Sequence, residues 1–364
     1  MLDILIIIFI AFCAGAFGTA LGALGAVIMT AMAGLVGIIG NICGADFNFV
    51  SSVAFGLILG PQVSFGPACC AAGYAKRKGY LNSSKDIVTP LISLRKPDVL
   101  IVGGLFAVAG YFVNMGIGKM LPGKIDSIAL TVVLISLAAK VMYGTDGLLS
   151  IIGRTPEEVK KAGGRYSIHN QMVWIRYQTT GLENVLIGVF AGGMSSYLTY
   201  IMLQTAEKTG NAGIAGVAIL PGWAIAIICF FLNVSGLAIP VFHHICLVAS
   251  YATFASFYGS AGGASCLLWG VAFGILAAYA GDLLAKTFTC FGEGFVDPPS
   301  MAIATCSILP LWIIPSVDGF NPDNTSYWVI PIVLIAFLSV VAFYQESAIK
   351  RRVNMKNVSE ETNY

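Results

Sequence analysis

The sequence predicts an all-α polytopic membrane protein with ten to twelve crossings, built as two halves in an inverted repeat with discontinuous helices near 60–75 and 292–310. Three observations carry this. Hydrophobic residues make up 57% of the chain and charged residues only 10%, against about 25% charged in a typical soluble domain. Apolar runs of span length recur from end to end. Two Gly/Pro-broken segments sit in parts of the chain that run in opposite directions. Twenty basic and 18 acidic residues among 364 cannot clothe such a chain for water, so its solvent is a bilayer. The net charge of +2 offers no basic face of the kind nucleic acid requires.

A span takes about 20 apolar residues. Taken in order, such runs are Ile4 to Ile28, Val99 to Gly118, Ile125 to Tyr143, Leu182 to Leu203, Ala212 to Leu232, Leu237 to Ala255, Gly263 to Gly281, Pro299 to Ile314 and Tyr327 to Tyr344. The first has no basic leader and outlasts the apolar core of a signal peptide, so it reads as a retained span. The interval Ala31 to Ala75 holds two or three more, interrupted by Asn41, Asp46, Asn48, Pro61, Gln62 and Pro67. Small-residue pairs that let helices approach, such as Gly188/Gly192 and Gly270/Gly274, fit helix packing in lipid. The nine cysteines form no CxxC and mostly lie in apolar stretches, where they behave as small hydrophobes.

Basic residues gather at Lys76 to Lys96, at Arg154 to Arg176 and in the tail after Lys350. The positive-inside rule places all three in the cytoplasm, and the even numbers of spans between them agree. Ser316 to Ser326, with Asp318 and Asp323 but no Lys or Arg, then lies outside. The chain divides into an N-terminal membrane half (1–150), a cytoplasmic amphipathic connector (151–180), a C-terminal membrane half (181–346) and a cytoplasmic tail (347–364). In the connector, Thr155 is the expected N-cap and Pro156 the first-turn residue of a short helix. The expected setting is a prokaryotic cytoplasmic membrane.

The broken segments are Gly60 to Ala72 and Gly292 to Ala304, which share a frame of Gly, six residues and Pro. Proline fixes φ and lacks an N–H, so Pro67 and Pro299 suit the first turn of a helix that follows extended chain. A pair of such breaks in two opposed halves points to the binding site of a secondary transporter. Fainter similarity links Ile10 to Ala23 with Ile187 to Tyr200 through Ile10/Ile187, Ala14/Ala191, Gly15/Gly192 and Leu21/Leu198. The layout is similar to that of inverted-repeat transporters in general, a likeness of architecture that carries no substrate.

The expected solute-binding residues are Gln62, Ser64, Gly66, Pro67, Gly294, Pro298, Pro299 and Ser300. Ionisable groups inside a membrane are costly and so read as functional. Asp46, Glu293 and Asp297 are the expected ion-coupling residues, for Na⁺ or H⁺. Structural readings stand beside these. Asp297 precedes two prolines and can be a helix N-cap; Asp282 and Lys286 have i, i+4 spacing; Lys140, near a cytoplasmic end, is expected to snorkel; Glu183 complements a helix start. His243 and His244 are either a proton relay or an interhelical polar pair.

No P-loop, GxSxG, HExxH or Rossmann fingerprint occurs, so no enzyme chemistry, resident cofactor or metal site is expected. The leading expectation is a secondary active permease for a small polar solute. The alternatives are a passive channel or facilitator and a non-transporting subunit of a larger complex. The expected partners are the solute and the bilayer, with a homo-oligomer left open.

Overall fold

The computed structural model describes residues 2–259, 264–318 and 326–361. Among these residues the structure is helices and turns, without a strand. The run expected as one span over Ile4 to Ile28 is two helices, α1 (Leu2–Leu21) and α2 (Ala23–Ile42). Gly22 divides them, at a φ of +81° that L side chains rarely adopt. The loop after residue 85 holds this corner: Leu24 N–H donates to the Ile87 carbonyl at 2.8 Å, and a Cβ on Gly22 would stand 2.7 Å from Thr89 O.

Beyond α2 come one π turn at Val50–Ala54, turns over 55–64, and α3 (Phe65–Arg77). α4 (Pro97–Met120) starts on a proline. α5 (Ser127–Tyr143) is capped by Asp126, whose carboxylate accepts the Ala129 N–H at 2.8 Å. The connector carries α6 (Glu157–Lys161), capped by Pro156 and not by Thr155. The Thr155 hydroxyl is engaged elsewhere, accepting from the Arg165 guanidinium at 2.8 Å.

α7 (Gly181–Thr209) opens on a capping box between Thr180 and Glu183, the helix-start role expected of Glu183. The run Ala212 to Leu232 is three pieces, α8 (Ala212–Val217), α9 (Leu220–Ile228) and α10 (Phe230–Val234). α11 (His243–Gly259), α12 (Ala264–Leu284), a π turn at Ala285–Thr289, α13 (Pro298–Ile308), a second π turn at Leu309–Ile313, α14 (Ile314–Asp318) and α15 (Ser326–Glu361) complete the order. Most of the expected outer loop, Ser316 to Ser326, falls on residues outside those described.

Seven of these segments are long and apolar enough to cross a membrane, and Ser127–Tyr143 and Leu220–Val234 are shorter apolar helices. Large apolar side chains such as Phe9, Phe190, Met194 and Phe343 are exposed on the outer surface, as an integral membrane protein requires.

Small residues let two helix pairs approach closely. Between α1 and α4, a Cβ on Gly15 would lie 2.3 Å from the Ala107 Cβ and 2.5 Å from Gly103 O. Between α7 and α12, a Cβ on Gly188 would lie 2.4 Å from the Ile275 Cα. One apolar core links the halves, joining Leu24, Phe65 and Val132 to Trp223, Phe273 and Ile303.

α5 and α13 run antiparallel across this core. At one end the Asp126 N–H donates to Ser307 Oγ at 3.1 Å. At the other, Lys140 Nζ donates to the Phe291 carbonyl at 3.0 Å and to that of Phe288. Lys140 is fully buried and does not snorkel, because the carbonyls left over where α12 ends meet its ammonium inside the protein.

Candidate functional site

A cavity of about 730 Å³ lies between the halves. Val27, Phe55, Phe65 and Asp126 line it from one side of the chain, and Trp223, His243, Tyr251 and Asp297 from the other. Ile87 and the connector residues Trp174 to Tyr177 also line it, and Arg176 and Tyr177 are exposed there.

Two carboxylates face this space, and both cap helices. Asp297 is buried, and its Oδ2 accepts the Ser300 N–H at 2.9 Å and the Ser300 hydroxyl at 2.6 Å. Asp126, half-buried, caps α5 with one oxygen and accepts the Tyr251 hydroxyl at 2.8 Å with the other. The capping reading of Asp297 therefore holds as geometry, and the same side chain also lines the cavity. His243 is buried against the Phe230 ring, its Nδ1 without a hydrogen-bond partner. The neighbouring His244 points to α12, where its Nε2 would meet a Cβ on Gly281 at 2.8 Å.

The structure sorts the expected site residues into four places. Asp297, Pro299 and Ser300 line the cavity, as do Pro61 and Phe65 from the first broken segment. Gln62, Ser64, Gly66, Pro67 and Pro298 are buried beside it without lining it. Gln62 and Ser64 serve the break: Gln62 Nε2 donates to Phe55 O at 3.1 Å, Ser64 Oγ to Leu59 O at 2.9 Å, and Thr30 Oγ1 to the same carbonyl at 2.6 Å. These donors stand in for the amides that a continuous helix would supply. Gly66 and Pro298 are helical, since α3 starts at Phe65 and α13 at Pro298, one or two residues before the expected prolines.

Glu293 and Gly294 lie apart from the main cavity, in a hollow of about 140 Å³ with Lys76, Arg77 and Tyr143. Ser84 Oγ donates to Glu293 at 2.5 Å and accepts the Gly294 N–H at 2.8 Å, and Lys85 Nζ donates to Cys290 O at 3.0 Å. Asp46 is exposed in the loop after α2. Asp282 and Lys286 form the i, i+4 pair, at 2.6 Å. Among the described residues, no three His, Cys, Asp or Glu side chains gather to hold a metal ion.

Sequence reading missed Asp126 and Tyr251. A signal existed for Asp126, since an aspartate opening an apolar run is an N-cap pattern. Tyr251 gave none, because its value depends on a partner 125 positions away in the chain.

A sequence profile described as a family of unknown function, DUF7973, matches residues 1–317. The chain belongs to the DUF7973 family. Every residue lining the cavity falls inside the matched range, so the cavity is part of the DUF7973 region. No curated protein and no solved structure matches the chain. The chemistry of this DUF7973 site is therefore read from its own residues.

Proposed function

We propose that this protein is a secondary active permease for a small polar solute, coupled to Na⁺ or H⁺, with two inverted halves closing around the cavity. The observation that carries the reading is that cavity, bounded by both halves and by the capped starts of two antiparallel helices, Asp126 on α5 and Asp297 on α13. Helix ends that line a cavity between two halves are where such transporters hold solute and ion.

Repeated packing supports the inverted halves. Gly15 packs on Gly103 and Ala107 as Gly192 does on Gly270 and Gly274. The Thr19 hydroxyl sits where a Cβ on Gly103 would go, as the Ser196 hydroxyl does at Gly270. This supports reading α7 as the counterpart of α1 and α12 as that of α4, in the register of the similarity between Ile10 to Ala23 and Ile187 to Tyr200. Antiparallel packing and similar caps support the same reading for α5 and α13. On this register the shared Gly/Pro frame of residues 60–72 and 292–304 does not relate equivalent segments, although both border the cavity.

With the basic loops in the cytoplasm, the rim at Ile87 and Trp174 to Tyr177 faces the cytoplasm. Asp297 is the coupling carboxylate this arrangement supports, whereas Asp46 and Glu293 stand outside the cavity. The test is solute uptake into proteoliposomes under an imposed Na⁺ or H⁺ gradient. Accumulation against the solute gradient is expected; flux that only equilibrates indicates a facilitator, and no flux from the chain alone indicates a subunit. Asn caps about as well as Asp, so Asp297→Asn is expected to fold and, with solute in excess, to carry it without ion dependence. Unchanged ion dependence would leave Asp297 as a cap only.

A further inference from the structure

We propose that the solute is an organic ammonium ion, held between Asp297 and Asp126 against the aromatic wall of the cavity. The role of the site rests on the permease reading; its ligand chemistry stands on the following observations.

A helix N-terminus invites an anion because its first amides lack partners. Here that invitation is already answered from within the chain. Asp297 Oδ2 takes the Ser300 N–H and hydroxyl, and Asp126 takes the Ala129 N–H. What Asp297 presents is its other oxygen, Oδ1, which takes no hydrogen bond among the described residues. His243, 7% exposed, lines the same space.

No buried Lys or Arg lines the cavity beside these groups. Arg176, at the exposed rim, is the one Lys or Arg among the lining residues. Lys140 is spent on the carbonyls of Phe288 and Phe291, and Lys286 on Asp282. Phe55, Phe65, Trp223, Phe230 and Tyr251 bring ring systems to the same space. Aromatic faces attract ammonium groups, the more so when water is excluded. A cavity with anionic and aromatic walls and no internal cation selects a cationic organic solute over an anionic one.

The spacing refines the class. Asp126 meets Ser307 at the far end of α13 while Asp297 caps its start, so the carboxylates are about 15 Å apart at 1.5 Å of rise per residue. An extended di- or polyamine can approach both, which a compact monoamine cannot.

Three probes with one six-carbon chain isolate the end groups: 1,6-diaminohexane, 1,6-hexanediol and adipate. Calorimetric titration of the purified full-length protein is expected to show binding of the diamine, none of adipate, and binding of the diol at least about tenfold weaker than the diamine. Asp297→Asn is expected to weaken the diamine by about tenfold while its ligand-free melting temperature stays near that of the unmodified protein. Equal or tighter binding of adipate or the diol overturns the proposal, as does diamine affinity unchanged by Asp297→Asn. The ranking in the unmodified protein stands even if that variant fails to fold. Diamine that binds but is never carried into proteoliposomes sustains this inference and sinks the permease reading. Gradient-driven uptake of another solute by a protein that binds no diamine does the reverse.

Discussion

Lys140 shows how a single residue's position in sequence can mislead. Its place four residues from the end of an apolar run suits snorkelling, yet it is wholly buried, with its ammonium on the carbonyls of Phe288 and Phe291. Those carbonyls lie in and just after the π turn that ends α12, where a helix leaves its last acceptors unmet. Lys140→Met keeps the length and apolar stem but strands both acceptors, and a buried unsatisfied group costs about 1–3 kcal/mol. A lower melting temperature in detergent is therefore expected; an unchanged one would mean that water meets those carbonyls. Asp282 and Lys286, by contrast, pair as their spacing predicts, because an i, i+4 contact depends on one helix alone.

Packing between elements turns on where a side chain has no room. A Cβ on Gly188 would fall 2.4 Å from the Ile275 Cα, an atom that cannot swing aside, whereas a Cβ on Gly116 of α4 meets nothing within 4 Å. Gly188→Ala is expected to push α7 from α12 and lower stability by about 1–3 kcal/mol. Gly116→Ala should be neutral or stabilising by up to about 1 kcal/mol, since Ala is the better helix former. Thermal unfolding of the two variants side by side measures the contrast, and equal effects would refute the close approach of α7 and α12. The sequence held the glycine pairs in view but could not say which of them were contacts. A small residue permits approach, and only the partner helix shows whether the approach is made.

For the whole molecule, the expected outcome is one of sidedness. A cysteine at residue 160, introduced into a cysteine-free background, should resist an impermeant reagent in intact cells and react once the cells are opened. One at residue 321, in the acidic loop, should react in intact cells. The opposite pattern would overturn the orientation, the inverted halves that depend on it, and the assignment of the cavity rim to the cytoplasm.

Composition and run length alone gave a helical chain with segments long and apolar enough to cross a bilayer, because the scarcity of charge and the length of a span are properties of residues counted along the chain. The Asp297 cap and the helix start at Glu183 were legible for a related reason: caps involve neighbours three residues apart. The break at Gly22 lay hidden inside an apolar run, since its cause is the carbonyls of residues 87 and 89. Gln62 and Ser64, read as site residues, donate to the Phe55 and Leu59 carbonyls of the turns beside them. Only the tertiary structure set Asp126 beside Tyr251 and Ser307, and both carboxylates on one aromatic cavity. Those groups lie far apart in sequence, and no local propensity can bring them together; the antiparallel packing of α5 on α13 does.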